Sequence, residues 1–370
     1  MPKPFRHEPC PPLPGGAGSL ADTLRLALPH AGPALMTQQA REALLHWAAH
    51  LPDIPRGLIE CRLSGPAAAD LSLGLPPDAD AQTDLAAALA ALSDGGAGWE
   101  TARAVADTWA RHGGASSAWF EFDIAPDAAS LPPPAIFLER AEATDAARDA
   151  AAERRLLDCL GPGTGAQVSD WDSRLPPGAR LRFAGQMLSR PEPALRLNLT
   201  RLSADAALRW LGDHGAGPAD AGRFARLFGI GRRTVLAVEA QGDGLGERIG
   251  VECKPGDHAG ADALIDWVRE AGLCRADSAA AALAWPGATA RRDAPERWPL
   301  DLVLASLARG DGARPALLRQ ISHAKVTWSG GHPVEAKIYL SFAQAIFHPS
   351  SRDGRPDTDR ADGAEPSRAL

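Results

Sequence analysis

Five times along this chain of 370 residues, two short strand-like runs stand back to back across a turn, and that repetition constrains the fold more than any other feature. The first three pairs are GLIECRL and DLSLGL (57–63, 70–75), AWFEFDI and AIFLER (118–124, 135–140), and ARLRFAGQML and ALRLNLTRL (179–188, 194–202). RTVLAVEAQ and GERIGVECK (233–241, 246–254), then HAKVTW and VEAKIYLSF (323–328, 334–342), complete the set. Gly or Pro occurs at nearly every crossing, as hairpin turns require. Four of the hairpins are followed by helix-like sequence. The units therefore repeat an α-β-β order without a shared residue pattern, and each must bury a face against its neighbours.

Alternation within the strands assigns their faces. Ile59, Cys61 and Leu63 oppose Glu60 and Arg62; Phe120, Phe122 and Ile124 oppose Trp119, Glu121 and Asp123. Leu195, Leu197 and Leu199 oppose Arg196, Asn198 and Thr200, while Ile249, Val251 and Cys253 oppose Arg248, Glu252 and Lys254. In the last hairpin Val326 opposes Lys325 and Thr327, and Ile338 and Leu340 oppose Lys337, Tyr339 and Ser341. Each strand thus has one aliphatic face, which suits amphipathic helices, and one face rich in charge. The charged faces point either to bulk water from an open sheet or into a shared wet interior. Closure removes the exposed edges of so wide a sheet, and ten strands in a ring enclose more space than side chains alone fill. The expected class is α+β, a ten-stranded antiparallel barrel with helices outside; the open sheet is the alternative.

Helix signals fall between the hairpins. Thr37 precedes an amphipathic run as an N-cap, Ser203 another, and Thr144 can start a third. Gly113 and Gly272 sit where helix C-termini place glycine. Residues 1–18 read as a loose arm, 19–348 as a single barrel domain, and 349–370 (PSSRDGRPDTDRADGAEPSRAL), with almost no apolar content, as a disordered tail. A net charge of −7 argues against a whole-surface nucleic-acid binder. There is no apolar run of membrane-spanning length and no signal-peptide core, and five widely spaced cysteines make no disulfide framework or zinc spacing. A cytoplasmic protein is expected. His46 and His50, one helical turn apart, have no visible third metal ligand, and a core helix around Trp47 explains them. The helix tryptophans Trp47, Trp109, Trp210 and Trp267 read as packing, and His323 as a strand-end histidine.

Five consecutive such units with ten antiparallel strands and a polar interior resemble the ABBA prenyltransferases, and the local wording is most similar to their cyanobactin-type peptide prenyltransferases. Ile59-Glu60 lies where that family has Ile-Glu in its first hairpin. RFAGQML…ALRLNLTRLSADAALRWLGD (182–213) resembles its Ala-Gly strand, basic strand and following helix, and AKIYLSF (336–342) its closing Lys/Arg-x-Tyr pattern. The architecture spans about residues 40–345.

The resemblance implies transfer of an isoprenoid from an allylic diphosphate to a peptide or small-molecule acceptor, with Glu60 as the base that takes the acceptor's proton. A diphosphate bound without a metal cluster needs several converging cations. On that reading Arg62, Arg182, Arg196, Arg248, Lys254, Lys325 and Lys337 bind it, with a hydrogen bond from Tyr339. The same cations can instead pair with neighbouring carboxylates as a structural network. No metal is obligatory, although Mg2+ could accompany the diphosphate; the Asp-Asp-x-x-Asp motif is absent, and Asp170-Trp171-Asp172 reads as a loop. The family screens the allylic cation with several tyrosines, whereas here Tyr339, Trp119, Trp328 and Phe137 are the aromatics placed to do so. Trp119, Glu121, Asp123, Asn198 and Glu252 are the expected acceptor contacts, the carboxylates suiting a basic acceptor group. A non-catalytic peptide- or anion-binding module of a peptide maturation system is the alternative function.

Overall fold

Strand pairing in the computed structural model runs without a break around a ring. The structure describes residues 19–347 except 55, 93–94, 128, 142–149, 191–192 and 311. The expected arm at 1–18, the tail at 349–370 and the helix start at Thr144 lie outside the described residues. The strands are β1 (Arg56–Arg62), β2 (Ala69–Leu75), β3 (Ser117–Phe122), β4 (Ala135–Glu139), β5 (Arg180–Met187) and β6 (Leu195–Thr200). They continue with β7 (Arg233–Gln241), β8 (Gly244–Lys254), β9 (Gly287–Ala290), β10 (Arg314–Ser329) and β11 (His332–Phe347). Strands β1 to β8 pair in sequence order, β8 pairs with β10, β10 with β11, and β11 returns to β1. Every pairing is antiparallel. The expected closed barrel of ten strands is the fold, and closure leaves the long strands no bare edge.

The last hairpin is longer than its alternation suggests. Both of its strands run past the barrel wall, where β9 takes the place beside β10 that β8 vacates (Arg319 opposite Gly287, Ala316 opposite Ala290). Beyond the wall both faces of the ribbon are covered in part, so the period of two fades and 314–322 did not read as strand.

Helices ring the barrel in pairs. Before β1 lie α1 (Leu20–Ala27) and α2 (Gln38–Ala48); between hairpins lie α3 (Ala79–Leu92) with α4 (Ala97–His112), and α5 (Ala150–Asp158) with α6 (Thr164–Ser173). Then come α7 (Ala204–Asp213) with α8 (Ala221–Ile230), α9 (His258–Glu270) with α10 (Ala276–Leu283), and α11 (Leu300–Ala308). The sequence showed one helix per unit because only one of each pair carries strong local signals. Thr37 and Ser203 do cap their helices, accepting from the backbone N–H of Ala40 and Ala206. At Gly113, φ is 67°, and its N–H closes the end of α4 on the Trp109 carbonyl. By contrast α6 begins with Thr164-Gly165 and carries Asp170-Trp171-Asp172, so that segment is helical rather than a loop. Burial of Val168 and Trp171 holds it there against weak intrinsic propensity.

The core lies between the helices and the outer face of the barrel. Ile59, Cys61, Phe120, Phe122, Leu197, Leu199, Val251, Ile338 and Leu340 are fully buried in it, as the alternation assigned them. The helix tryptophans pack there too, Trp109 and Trp267 almost completely buried. Trp328 belongs to this layer, 1% exposed and edge-on to Phe224 at 5.4 Å. It shares the parity of Val326, so it is no lumen aromatic, and the expectation that it screens a cation is corrected.

Candidate active site in the barrel lumen

The opposite strand faces converge on the lumen, and small residues make room for large ones. A Cβ on Gly74 would come within 2.8 Å of the Trp119 indole, so that ring lies directly over the β2 backbone. Gly250 likewise leaves space for the Lys325 chain, whose Cε would stand 2.8 Å from an added Cβ. Leu58, Phe137, Ala237 and Tyr339 are buried yet stand apart from the main core, forming an inner apolar lining.

Two β-bulges re-aim side chains into this space. Between Leu181 and Phe183 the register slips, and both Arg182 and Phe183 face the lumen, the guanidinium 5.0 Å over the Phe183 ring. A second slip between Ile321 and His323 keeps Ile321 opposite Leu340 but sets His323 opposite Tyr339. The two rings stack, centroids 4.0 Å apart and planes 15° apart. His323 is therefore a mid-strand lumen residue, not a strand-end histidine. Its direction follows the parity of Lys325 and Thr327; what local alternation did not show is that the strand continues past it, because the slip at Ser322 breaks the period there.

Beside this stack sits Glu60, 7% exposed, which accepts from Lys337 Nζ and from the Tyr339 hydroxyl. Burial alone would raise the Glu60 carboxyl; Lys337, Tyr339 and Lys325 outweigh it and hold it below the usual carboxylate range. Glu252 is held low in the same way, burial being outweighed by Lys325 at 3.1 Å and by His323. His323 itself is pushed down to about 4 by burial and by Lys325 and Lys254, against the pull of Glu252, and is neutral at pH 7. Tyr339 is driven well above its ordinary value by burial and the surrounding carboxylates. Glu121 goes the other way, up to about 7, through burial and the like charge of Glu60. It makes no hydrogen bond or ion pair among the described residues.

The remaining expected cations separate. Arg196 pairs with Glu239 at 2.7 Å and Arg182 with Glu139 at 2.8 Å. Arg62 lies 3.7 Å from Asp70, and Arg248 lies 3.2 Å from Glu335. Those two sit at the end of the barrel formed by the close of β1 and the start of β11. Asp123, near that end, accepts from Ser189 Oγ, and Asp70 accepts from the Ile124 N–H. Lys254 stands at the other end with three arginines. Burial, then Arg233, Arg182 and Arg232, push its ammonium down to about 8. His323 links this cationic end to the cluster: it feels both Lys254 and Glu60 and stacks on Tyr339. Asn198, on the lumen face of β6, is 9% exposed, and its Oδ1 is buried without a hydrogen-bond partner.

The structure thus gathers Glu60, Glu121, Glu252, Lys325, Lys337 and Tyr339 into one cluster, with Arg62 at its edge, opposite Lys337 and turned to Asp70, and Arg248 paired with Glu335. Sequence reading counted Glu139 among the lumen carboxylates and took His323 for a strand end, and it missed Asp70, Glu239, Arg232 and Arg233. Asp70 and Glu239 were legible from alternation in DLSLGL and RTVLAVEAQ; the arginines at a strand start were not. No group of three or more metal-ligating side chains occurs among the described residues. His50 Nδ1 meets the His46 carbonyl at 3.0 Å.

No protein-family model matches the chain, and no curated protein sequence matches it. Among solved structures, it is similar to AnaPT from Neosartorya fischeri, at 11% identity and a TM-score of 0.47 over 88% of this chain and 92% of that one. It is also similar to NotF prenyltransferase, at 10% identity and a TM-score of 0.46 over 86% and 91% of the two chains. Likenesses this distant carry no argument about chemistry.

Proposed function

We propose that the barrel is a transferase that moves an isoprenoid from an allylic diphosphate to a peptide or small-molecule acceptor in its lumen, without an obligatory metal. The observation that carries this reading is the continuous path from Lys254 and its three arginines, along the stacked His323 and Tyr339, to Glu60. Excess positive charge at one end suits a diphosphate and its departure as the allylic C–O bond breaks. The flat faces of a neutral imidazole and a phenol suit an allylic cation, which an imidazolium would repel. As the acceptor bonds to the allylic carbon, its proton passes to Glu60, which Lys337 and Tyr339 keep ionised. Lys325 and Lys337 act on this reading through the carboxylates they hold, and Lys254 and Arg182 take the diphosphate.

A second reading, a non-catalytic module that binds a peptide or anion, is favoured by one observation. Arg182, Arg196, Lys325 and Lys337 already have carboxylate partners. Calorimetric titration with dimethylallyl, geranyl and farnesyl diphosphate, with and without Mg2+, separates the two. Binding that weakens at least tenfold in Lys254→Ala, and that falls as pH rises past 8 and the Lys254 ammonium loses its proton, is expected. Binding to none of the three would overturn the transferase reading.

A further inference from the structure

The lumen has an imbalance in its hydrogen-bonding groups. Its cations in the central cluster are engaged, Lys337 by Glu60 and Lys325 by Glu252, and Arg196 farther along by Glu239. Two lumen groups are not, and both are acceptors. The Glu121 carboxylate has no hydrogen bond or ion pair among the described residues, and the Asn198 Oδ1 is buried, in a side chain nine-tenths buried, without a partner. The buried donors that lack partners, on Arg41, Trp99, Trp267 and Trp298, all belong to the helical layer outside the barrel. A buried acceptor left unpaired costs about 1–3 kcal/mol, so the Asn198 Oδ1 calls for a donor, and the half-buried Glu121 carboxylate accepts from one as well. Charge points the same way. When Glu121 is ionised, three carboxylates (Glu60, Glu121 and Glu252) face two lysines across the cluster, and one is in excess.

We propose that the acceptor taken by this lumen carries a cationic nitrogen group, an ammonium or guanidinium, whose N–H groups are held by Glu121 and Asn198. This rests on the transferase reading for the word acceptor, but the site is defined by binding alone. Recognition at Glu121 leaves Glu60 free to take the proton, and the bound cation relieves the repulsion between the two carboxylates. An inorganic cation would leave the Asn198 Oδ1 and the Trp119 face without the shape they present; an alkyl guanidinium supplies planar donors and an apolar stem together.

The groups that face Glu121 are Glu60 from β1, Glu252 from β8, Lys325 from β10 and Lys337 from β11; its neighbours on β2 and β4, Ser72 and Ala135, carry no charge. A cation binds the ionised form of Glu121, so affinity rises as pH increases from 6 to 8 and binding releases a proton. The test is titration of the full chain with butylguanidinium and with its neutral isostere butylurea, in the absence of any diphosphate. The guanidinium is expected to bind at least tenfold more tightly than the urea. That preference should vanish in Glu121→Gln, a variant relieved of a crowded charge and thus expected to fold, and shrink in Asn198→Leu. Equal binding of the two probes, binding of neither, or a preference that survives Glu121→Gln would each overturn the proposal. If the guanidinium preference holds while no prenyl diphosphate binds, the transferase reading fails and the cation site stands. If prenyl diphosphates bind and the preference is absent, the cation site alone fails.

Discussion

His323 lies flat against Tyr339, the only tyrosine in the chain, with ring centroids 4.0 Å apart. The stack joins β10 to β11 on the inner face of the barrel and places a neutral imidazole between two lysines and two glutamates. Its protonation state follows from that position: burial outweighs the attraction of Glu252 and Glu60.

Because the folded pKa of His323, about 4, lies below its ordinary value of 6.5, the unfolded chain binds the extra proton first as pH falls. Stability is therefore lost between pH 6.5 and about 4 and is unaffected by this group above 6.5. His323→Phe keeps the stack and removes the titration. Its urea midpoint should gain on the wild type across that window, with a slope of at most about 1.4 kcal/mol per pH unit. A constant gap from pH 7 to 4 would show that the imidazole is not held neutral.

The Glu60–Lys337 pair is mostly buried, with side-chain exposures of 8% and 21%. Lys337→Met leaves the Glu60 carboxylate without its main counter-charge and should cost about 2–4 kcal/mol at pH 7, somewhat below a fully enclosed pair because Lys337 touches solvent. The loss should shrink toward pH 4 as Glu60 takes up a proton. Adding Glu60→Gln to the same variant should recover most of it. Denaturant unfolding of the two single variants and the double variant measures all three effects; a double variant as unstable as Lys337→Met would refute them.

Gly74 and Trp119 make a sharper steric case. Since an added Cβ meets the indole at 2.8 Å, Gly74→Ala should cost about 1–3 kcal/mol through overpacking. In a Trp119→Ala background the same substitution should be nearly neutral. A double-mutant cycle with thermal unfolding tests this coupling, and additive effects would show that the ring moves aside without strain.

The ten barrel strands and the faces of most of them were legible because alternation is a local property: one face must meet helices, and every second residue shows it. Glu60, Glu121, Lys325 and Lys337 could be assigned to the polar strand faces on that ground alone, and to a common interior once the sheet is taken as closed. Their pairing could not. Glu60 and Lys337 are 277 residues apart, and which cation meets which carboxylate depends on register and tilt around a closed ring. So the sequence produced one undivided set of diphosphate candidates, while the structure divides it between a central cluster of lysine–carboxylate pairs and a cationic end where Lys254 stands among Arg182, Arg232 and Arg233. The slip after Leu181 brings Phe183 to the same face as Arg182, and the slip at Ser322 takes Ile321 off the face of His323 and Lys325; each breaks the period that made the strands readable. The second helix of each pair, such as α6, forms only because the barrel offers it a surface. By itself the sequence determined the ten barrel strands in outline and the polar face of most of them; closure of the barrel decided which charges cancel, because cancellation is a distance between elements that the chain brings together only when the ring is shut.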